Sequence, residues 1–125
     1  FDMTRRDLQN AAKAKGRPWD FGKNFERGAV ITPIVRKAAF GAVGHQRIAL
    51  EVSGKTRQSS HLDEMVWSVP ELVSHLSRSY RLKAGDLIYT GTPAGVGAVV
   101  PGDRLVGTID GLPTLELTIG PVETA

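Results

Sequence analysis

The chain is 125 residues long, with a net charge of +3, 6% aromatic residues and no cysteine. That length accommodates one domain with a hydrophobic core. The lack of cysteine excludes disulfides and thiolate metal sites and leaves carboxylate, imidazole and carbonyl groups as the only ligands for a metal. No apolar run is long enough to span a membrane and no leader pattern opens the chain, so a cytoplasmic protein without a membrane partner is expected.

Charge location narrows the ligand class. Residues 1–27 hold seven basic and four acidic side chains, and the other 98 residues hold nine of each. The excess positive charge therefore lies in the first segment and favours small anionic ligands there. A nucleic-acid surface would need more charge and interleaved aromatic residues, so no nucleic-acid partner is expected.

In chain order, Phe1-Asp2-Met3 reads as the end of a strand already under way, which points to residues upstream. Thr4-Arg5-Arg6-Asp7 has the form of a capping box. Leu8, Ala11 and Ala12 then recur at helical spacing, and Gly16 with Pro18 stops the helix, which is predicted over residues 5–15. On it Arg6 and Gln9, three apart, share a face. Residues 16–25 read as a loop, although three aromatic side chains are more than a solvated loop needs. Residues 29–35 read as a strand broken at Thr32-Pro33. Ile48, Leu50 and Val52 alternate with Ala49, Glu51 and Ser53, and Ser53-Gly54 turns the chain into Thr56-Arg57-Gln58, a hairpin. Ser68-Val69-Pro70-Glu71 is a second capping box and opens a helix over residues 69–79.

Residues 85–97 read G-D-L-I-Y-T-G-T-P-A-G-V-G. A turn leads into a short buried strand, Leu87-Ile88-Tyr89-Thr90, followed by Gly91 and Thr92 and then by Gly95 and Gly97, which leave the backbone bare. Such a strand end can bring amides and hydroxyls up to an oxyanion, and a plain glycine-rich loop between strands fits the same pattern. Strands are also predicted over 105–109 and 115–119, linked through Asp110-Gly111. The fold class is α+β, mainly β.

The histidines carry no metal signal, because no pair has ligand spacing; His45, His61 and His75 read as solvated or capping side chains. Asp2, Arg6, Gln9 and Lys23 are better candidates. A carboxylate at a strand end can bind a hard cation, a guanidinium can fork onto a carboxylate, and an amide and an ammonium can face a developing oxyanion. On the residues alone, surface salt bridges account for them equally well.

Four ordered stretches carry a resemblance: D-M-T-R-R-D-L-Q at 2–9, G-R-P-W with G-K-N-F between 16 and 25, M-V-W-S-V-P at 65–70, and residues 85–97. Together they resemble the fumarylacetoacetate hydrolase family, nearest to the branch that cleaves fumarylpyruvate and other acylpyruvates. The resemblance implies a mixed β-roll, usually homodimeric, that uses Mg²⁺ or Mn²⁺ to cleave a carbon-carbon bond in an acylpyruvate-type diketo acid. Carried over by motif position, Asp2 resembles a metal ligand, and Lys23 and Gln9 resemble catalytic groups. Arg6, Thr92 and Gly91 resemble substrate-binding residues.

The family's Glu-x-Glu ligand pair and its water-activating dyad lie upstream of that aspartate, so residues 1–125 are expected to form a partial catalytic domain with the N-terminal part missing. Alone they are expected to bind Mg²⁺ weakly and to turn over little. Thr32-Pro33 stands where Gly-Pro is common, and Asn24 where serine often stands. A non-catalytic binding member and an isomerase or decarboxylase of the same fold are the alternatives.

Overall fold

The computed structural model describes residues 1–122. The chain divides into two compact units, Phe1–Thr32 and a second from Pro33 onward.

The first unit contains helix α1 (Arg6–Ala14) and a short helix α2 (Asp20–Lys23). α1 closes as its sequence dictates: Gly16 takes a φ of +60° and the amides of Lys15 and Arg17 return to the carbonyl of Ala12. Its start differs from the expected capping box. The N-cap is Arg5 and no side chain caps it. The Arg5 amide instead donates to the carbonyl of Gly22 at 2.9 Å, and the Thr4 hydroxyl is engaged by Lys23. The aromatic-rich stretch read as a loop thus contains α2. Residues 29–35 form no strand; their ladder is limited to one bridge between Asp2 and Ala29, with flanking bonds from the Met3 amide to Gly28 and from the Val30 amide to Phe1. Pro33, which has no amide hydrogen, follows within three residues of Val30.

The second unit is built on a four-stranded antiparallel sheet of order β2-β1-β3-β4, with β1 Arg47–Val52, β2 Lys55–His61, β3 Arg104–Ile109 and β4 Leu115–Thr118. Ser53 and Gly54 have φ values of 49° and 78° between the paired residues Val52 and Lys55, which makes the predicted hairpin loop a two-residue primed turn. The alternation in β1 is borne out by register: Ile48, Leu50 and Val52 stand opposite Ile109, Gly107 and Leu105. Cross-strand partners share a face, so these side chains and Leu117, opposite Leu105, form one apolar side of the sheet. Its best-covered members are Leu105, 2% exposed, and Val52, 6% exposed. On the β2 side, Leu50 faces Gln58 but Glu51 faces Thr56, which leaves Arg57 as the extra residue of a bulge.

Helix α3 (Lys37–Phe40), absent from the sequence reading, precedes the sheet, and a 3₁₀ turn over Leu62–Glu64 follows β2. Helix α4 (Val69–Ser77) begins at the predicted box: the Glu71 carboxylate accepts from the Ser68 amide at 2.8 Å, and Pro70 occupies the first turn. The Ser68 hydroxyl and then its amide hold the Glu71 carboxyl below the usual carboxylate range. The strand predicted over 87–90 does not form. This segment has no ladder partner among the described residues, and Leu87 and Tyr89 are exposed. Among the described residues no helix is long and apolar enough to cross a membrane.

Because Leu105 is the most deeply covered side chain of the sheet face, Leu105→Ala is expected to cost about 2–5 kcal/mol in urea unfolding. A loss below about 1 kcal/mol would show that this face contributes little to stability.

Candidate active site

In the first unit the polar groups singled out by sequence are gathered by two helices whose backbones nearly touch. A Cβ built on Gly22 would lie 3.0 Å from both the Cβ and the amide nitrogen of Gln9, so glycine lets α2 lie this close to α1 without pushing either helix aside. Lys23, the next residue, turns its ammonium onto the chain entering α1. It pairs with the Asp2 carboxylate and donates to the Thr4 hydroxyl at 3.0 Å and the Met3 carbonyl at 3.4 Å. Three ammonium hydrogens therefore meet three oxygens from residues 2–4.

One turn into α1, Arg6 donates to Gln9 Oε1 at 2.6 Å. A guanidinium has no acceptor, so the atom facing it must be the amide oxygen, and the Gln9 –NH₂ takes no part in that bond. Gln9 is the buried polar side chain of this unit, 9% exposed. Arg5 lies 4.6 Å over the ring of Phe25 and encloses the aromatic loop. The cluster thus has an ammonium and a donor amide, with the Arg6 guanidinium tethered to that amide.

Asp2 offers a hard carboxylate oxygen of the kind Mg²⁺ and Mn²⁺ take, and such ions commonly use one or two carboxylates with water and substrate oxygens for the rest. Among the described residues no group of three or more His, Cys, Asp or Glu side chains gathers to hold a metal. The donor set fits a hard cation in kind and provides one ligand.

In the second unit Gly91 has a φ of +103°, a left-handed conformation that favours glycine, and Thr92 follows it with its side chain exposed. The loop they open is fastened to the β2 bulge. Gln58 Nε2 donates to Thr92 Oγ1 at 2.8 Å and to the Pro93 carbonyl at 2.7 Å. A Cβ on Gly95, whose φ is +103°, would lie 2.0 Å from the Arg57 carbonyl oxygen. The glycines of residues 85–97 therefore do two jobs the sequence left open, a turn at Gly91 and a close backbone approach at Gly95.

Sequence reasoning missed Thr4, Gly22 and Gln58. Thr4 was assigned to a helix cap by a local pattern. Gly22 and Gln58 act through partners thirteen and thirty-four residues away in the chain, which no short motif encodes. The histidines make their contacts within the second unit. The ring of His45 stacks on His61 at 3.9 Å, with His45 Nδ1 3.0 Å from Asp63, and His75 meets Trp67 edge-on. A groove of about 450 Å³ along α4, lined by residues including Val66, Trp67, Pro70 and His75, contains none of Asp2, Arg6, Gln9, Lys23, Gly91 or Thr92.

Residues 1–120 match the family model described as fumarylacetoacetate (FAA) hydrolase C-terminal, and the chain belongs to this family. It is 54% identical over 124 residues to the fumarylpyruvate hydrolase of a Ralstonia species, covering 98% of this chain and 64% of that protein. It superposes with a TM-score of 0.91 on the crystal structure of Pseudomonas aeruginosa fumarylpyruvate hydrolase in complex with Mn²⁺ and pyruvate, at 48% identity over 95% of this chain and 51% of the other. A mitochondrial oxaloacetate tautomerase of Rattus norvegicus is 37% identical over 119 residues, 95% of this chain and 54% of that protein. The chain thus spans about half to two thirds of the length of these relatives.

Gly22→Ala should push α2 away from Gln9 and cost about 1–3 kcal/mol, as overpacking does. The lysine ammonium should lose its contacts on residues 2–4, which a ¹⁵N-edited spectrum of the Lys23 side chain would detect. An unchanged lysine signal and unchanged stability would mean that the interface yields without consequence.

Proposed function

We propose that this chain is part of a divalent-metal-dependent hydrolase that cleaves an acylpyruvate-type diketo acid, with fumarylpyruvate the favoured substrate, into pyruvate and a carboxylic acid. The observation that carries the reading is the cluster in the first unit, where Asp2, Lys23, Arg6 and Gln9 are held by the α1–α2 contact. The 54% identity to a fumarylpyruvate hydrolase and the similarity to an Mn²⁺–pyruvate complex support it.

Asp2 is the residue of this chain that would hold Mg²⁺ or Mn²⁺, and the ion would supply Lewis-acid polarisation there. In hydrolysis the oxygen of water joins the acyl carbon, and the electron pair of the broken carbon-carbon bond leaves on the pyruvate fragment as its enolate, which then takes a proton. Negative charge therefore grows on oxygen twice, at the attacked carbonyl and at the enolate. The Lys23 ammonium and the Gln9 –NH₂ are donors suited to that charge; the contacts of Lys23 with oxygens of residues 2–4 and the bond that Gln9 Oε1 accepts from Arg6 hold the two side chains before the reaction, and the ammonium exchanges one of its contacts for the substrate oxygen. Arg6 supplies further N–H groups for the keto acid, Thr92 a hydroxyl for a carboxylate, and Gly91 a backbone free of a side chain beside it.

The tautomerase relative favours a second reading on the same chemistry, because exchanging keto and enol forms of a 2-oxo acid also passes through an enolate. Incubating full-length protein with Mn²⁺ and fumarylpyruvate separates the two: loss of diketo-acid absorbance with release of pyruvate is expected. Turnover of oxaloacetate tautomers without pyruvate release would establish the second reading instead.

In active full-length protein, Lys23→Met should lower kcat on the order of a hundredfold with stability changed by less than about 1 kcal/mol, since an exposed ion pair contributes little to folding. Lys23→Arg should rescue poorly, because a planar fork does not replace a compact ammonium. Near-normal kcat in the methionine variant would reduce Lys23 to a surface charge.

Asp2→Asn keeps the side-chain size and removes its charge, and should weaken Mn²⁺ affinity by tenfold or more while leaving the circular dichroism spectrum intact. Unchanged affinity in a metal titration would remove Asp2 from the ligand set.

A further inference from the structure

Gln58 stands beside the extra residue of the β2 bulge and spends both hydrogens of its amide on the loop that follows Gly91. The direction of those bonds is forced. The Pro93 oxygen is a carbonyl and can only accept, so the atom 2.7 Å from it is the amide nitrogen, which has donors and no acceptor. The Thr92 hydroxyl, 2.8 Å from the same nitrogen, must then accept. A threonine hydroxyl that accepts still holds its own hydrogen and must direct it to a different oxygen. The Gly95 backbone, passing too close to the Arg57 carbonyl for any side chain, holds the loop against the bulge from its other side.

We infer that Gln58 is a positioning residue that fixes the Thr92 hydroxyl as a hydrogen-bond donor and so selects the ionised carboxylate of a 2-oxo acid over a neutral group of the same shape. The inference rests on the functional reading above and assigns a cause to the substrate's carboxylate selectivity. Replacing Gln58 by glutamate keeps length and reach but turns the donor into an acceptor. The ionised side chain would take the Thr92 hydrogen for itself and face the Pro93 carbonyl with like polarity.

The test compares pyruvate with its neutral isostere pyruvamide, by calorimetric titration of full-length protein supplied with Mn²⁺. Wild-type protein is expected to prefer pyruvate. Gln58→Glu should weaken pyruvate binding by about tenfold or more, the scale of one hydrogen bond to a charged group, and leave pyruvamide within about twofold. Gln58→Met, which keeps volume and loses both donors, should weaken pyruvate by a smaller factor in the same selective way and guards against a glutamate variant that fails to fold. Equal weakening of both ligands in either variant would make Gln58 a mere loop fastener, and unchanged pyruvate affinity would remove it from the site; either result overturns the inference while the functional reading stands. Wild-type protein that binds neither ligand overturns the functional reading and this inference with it.

Discussion

A Cβ on Gly22 would sit 3.0 Å from Gln9, and one on Gly95 would sit 2.0 Å from the carbonyl oxygen of Arg57. Each is a place where one stretch of chain is laid so close to another that a side chain would have to displace it, by a few tenths of an ångström at Gly22 and by far more at Gly95, and each stands next to residues proposed for the site. Gly22 precedes Lys23, so the depth to which α2 sinks onto α1 sets where the ammonium emerges. Gly95 closes the loop opened by Gly91 and Thr92, so its approach to the bulge sets how far the Thr92 hydroxyl lies from Gln58. The cost of glycine, a larger loss of chain entropy on folding, is accepted at both positions for the sake of distance.

Once the backbones are placed, polarity follows from the donor inventory. Arg6 cannot accept, which turns the oxygen of Gln9 toward it and leaves the –NH₂ out of that bond. The Pro93 carbonyl cannot donate, which turns the –NH₂ of Gln58 inward and leaves Thr92 as the outward donor. In both units a neighbouring group fixes the sense of a side chain suited to an anion. Lys23 follows the same logic, its hydrogens shared among the oxygens of Asp2, Met3 and Thr4. The Gln9 –NH₂ and the Thr92 hydrogen, which these bonds leave unspent, suit a substrate bearing a carboxylate and developing oxyanions, whereas Lys23 must exchange one of its contacts to reach one.

The elements legible in the sequence are those specified by neighbours in the chain. α4 begins at Ser68 because the serine and Glu71 satisfy each other's backbone partners three residues apart. The β1–β2 turn falls at Ser53-Gly54 because only a residue pair tolerant of positive φ closes a two-residue hairpin. The Arg6–Gln9 contact was also legible, because residues three apart share one helical face.

Misreadings arose where a distant partner outbid a local one. Thr4 and Asp7 have the spacing of a capping box, yet the Thr4 hydroxyl accepts from Lys23, the Arg5 amide takes the carbonyl of Gly22, and the helix starts one residue later with Arg5 as its uncapped N-cap. Leu87-Ile88-Tyr89-Thr90 has strand propensity, but propensity measures how a side chain fits a pleated, half-buried surface, and without a ladder partner among the described residues that surface does not exist. The bulge at Arg57 was invisible for the same reason, since a register slip belongs to a pair of strands and not to either one. Gln58 faces the Thr92 loop from beside that slip, so its hold on Thr92 and Pro93 is specified by a mismatch between two strands rather than by any motif around itself.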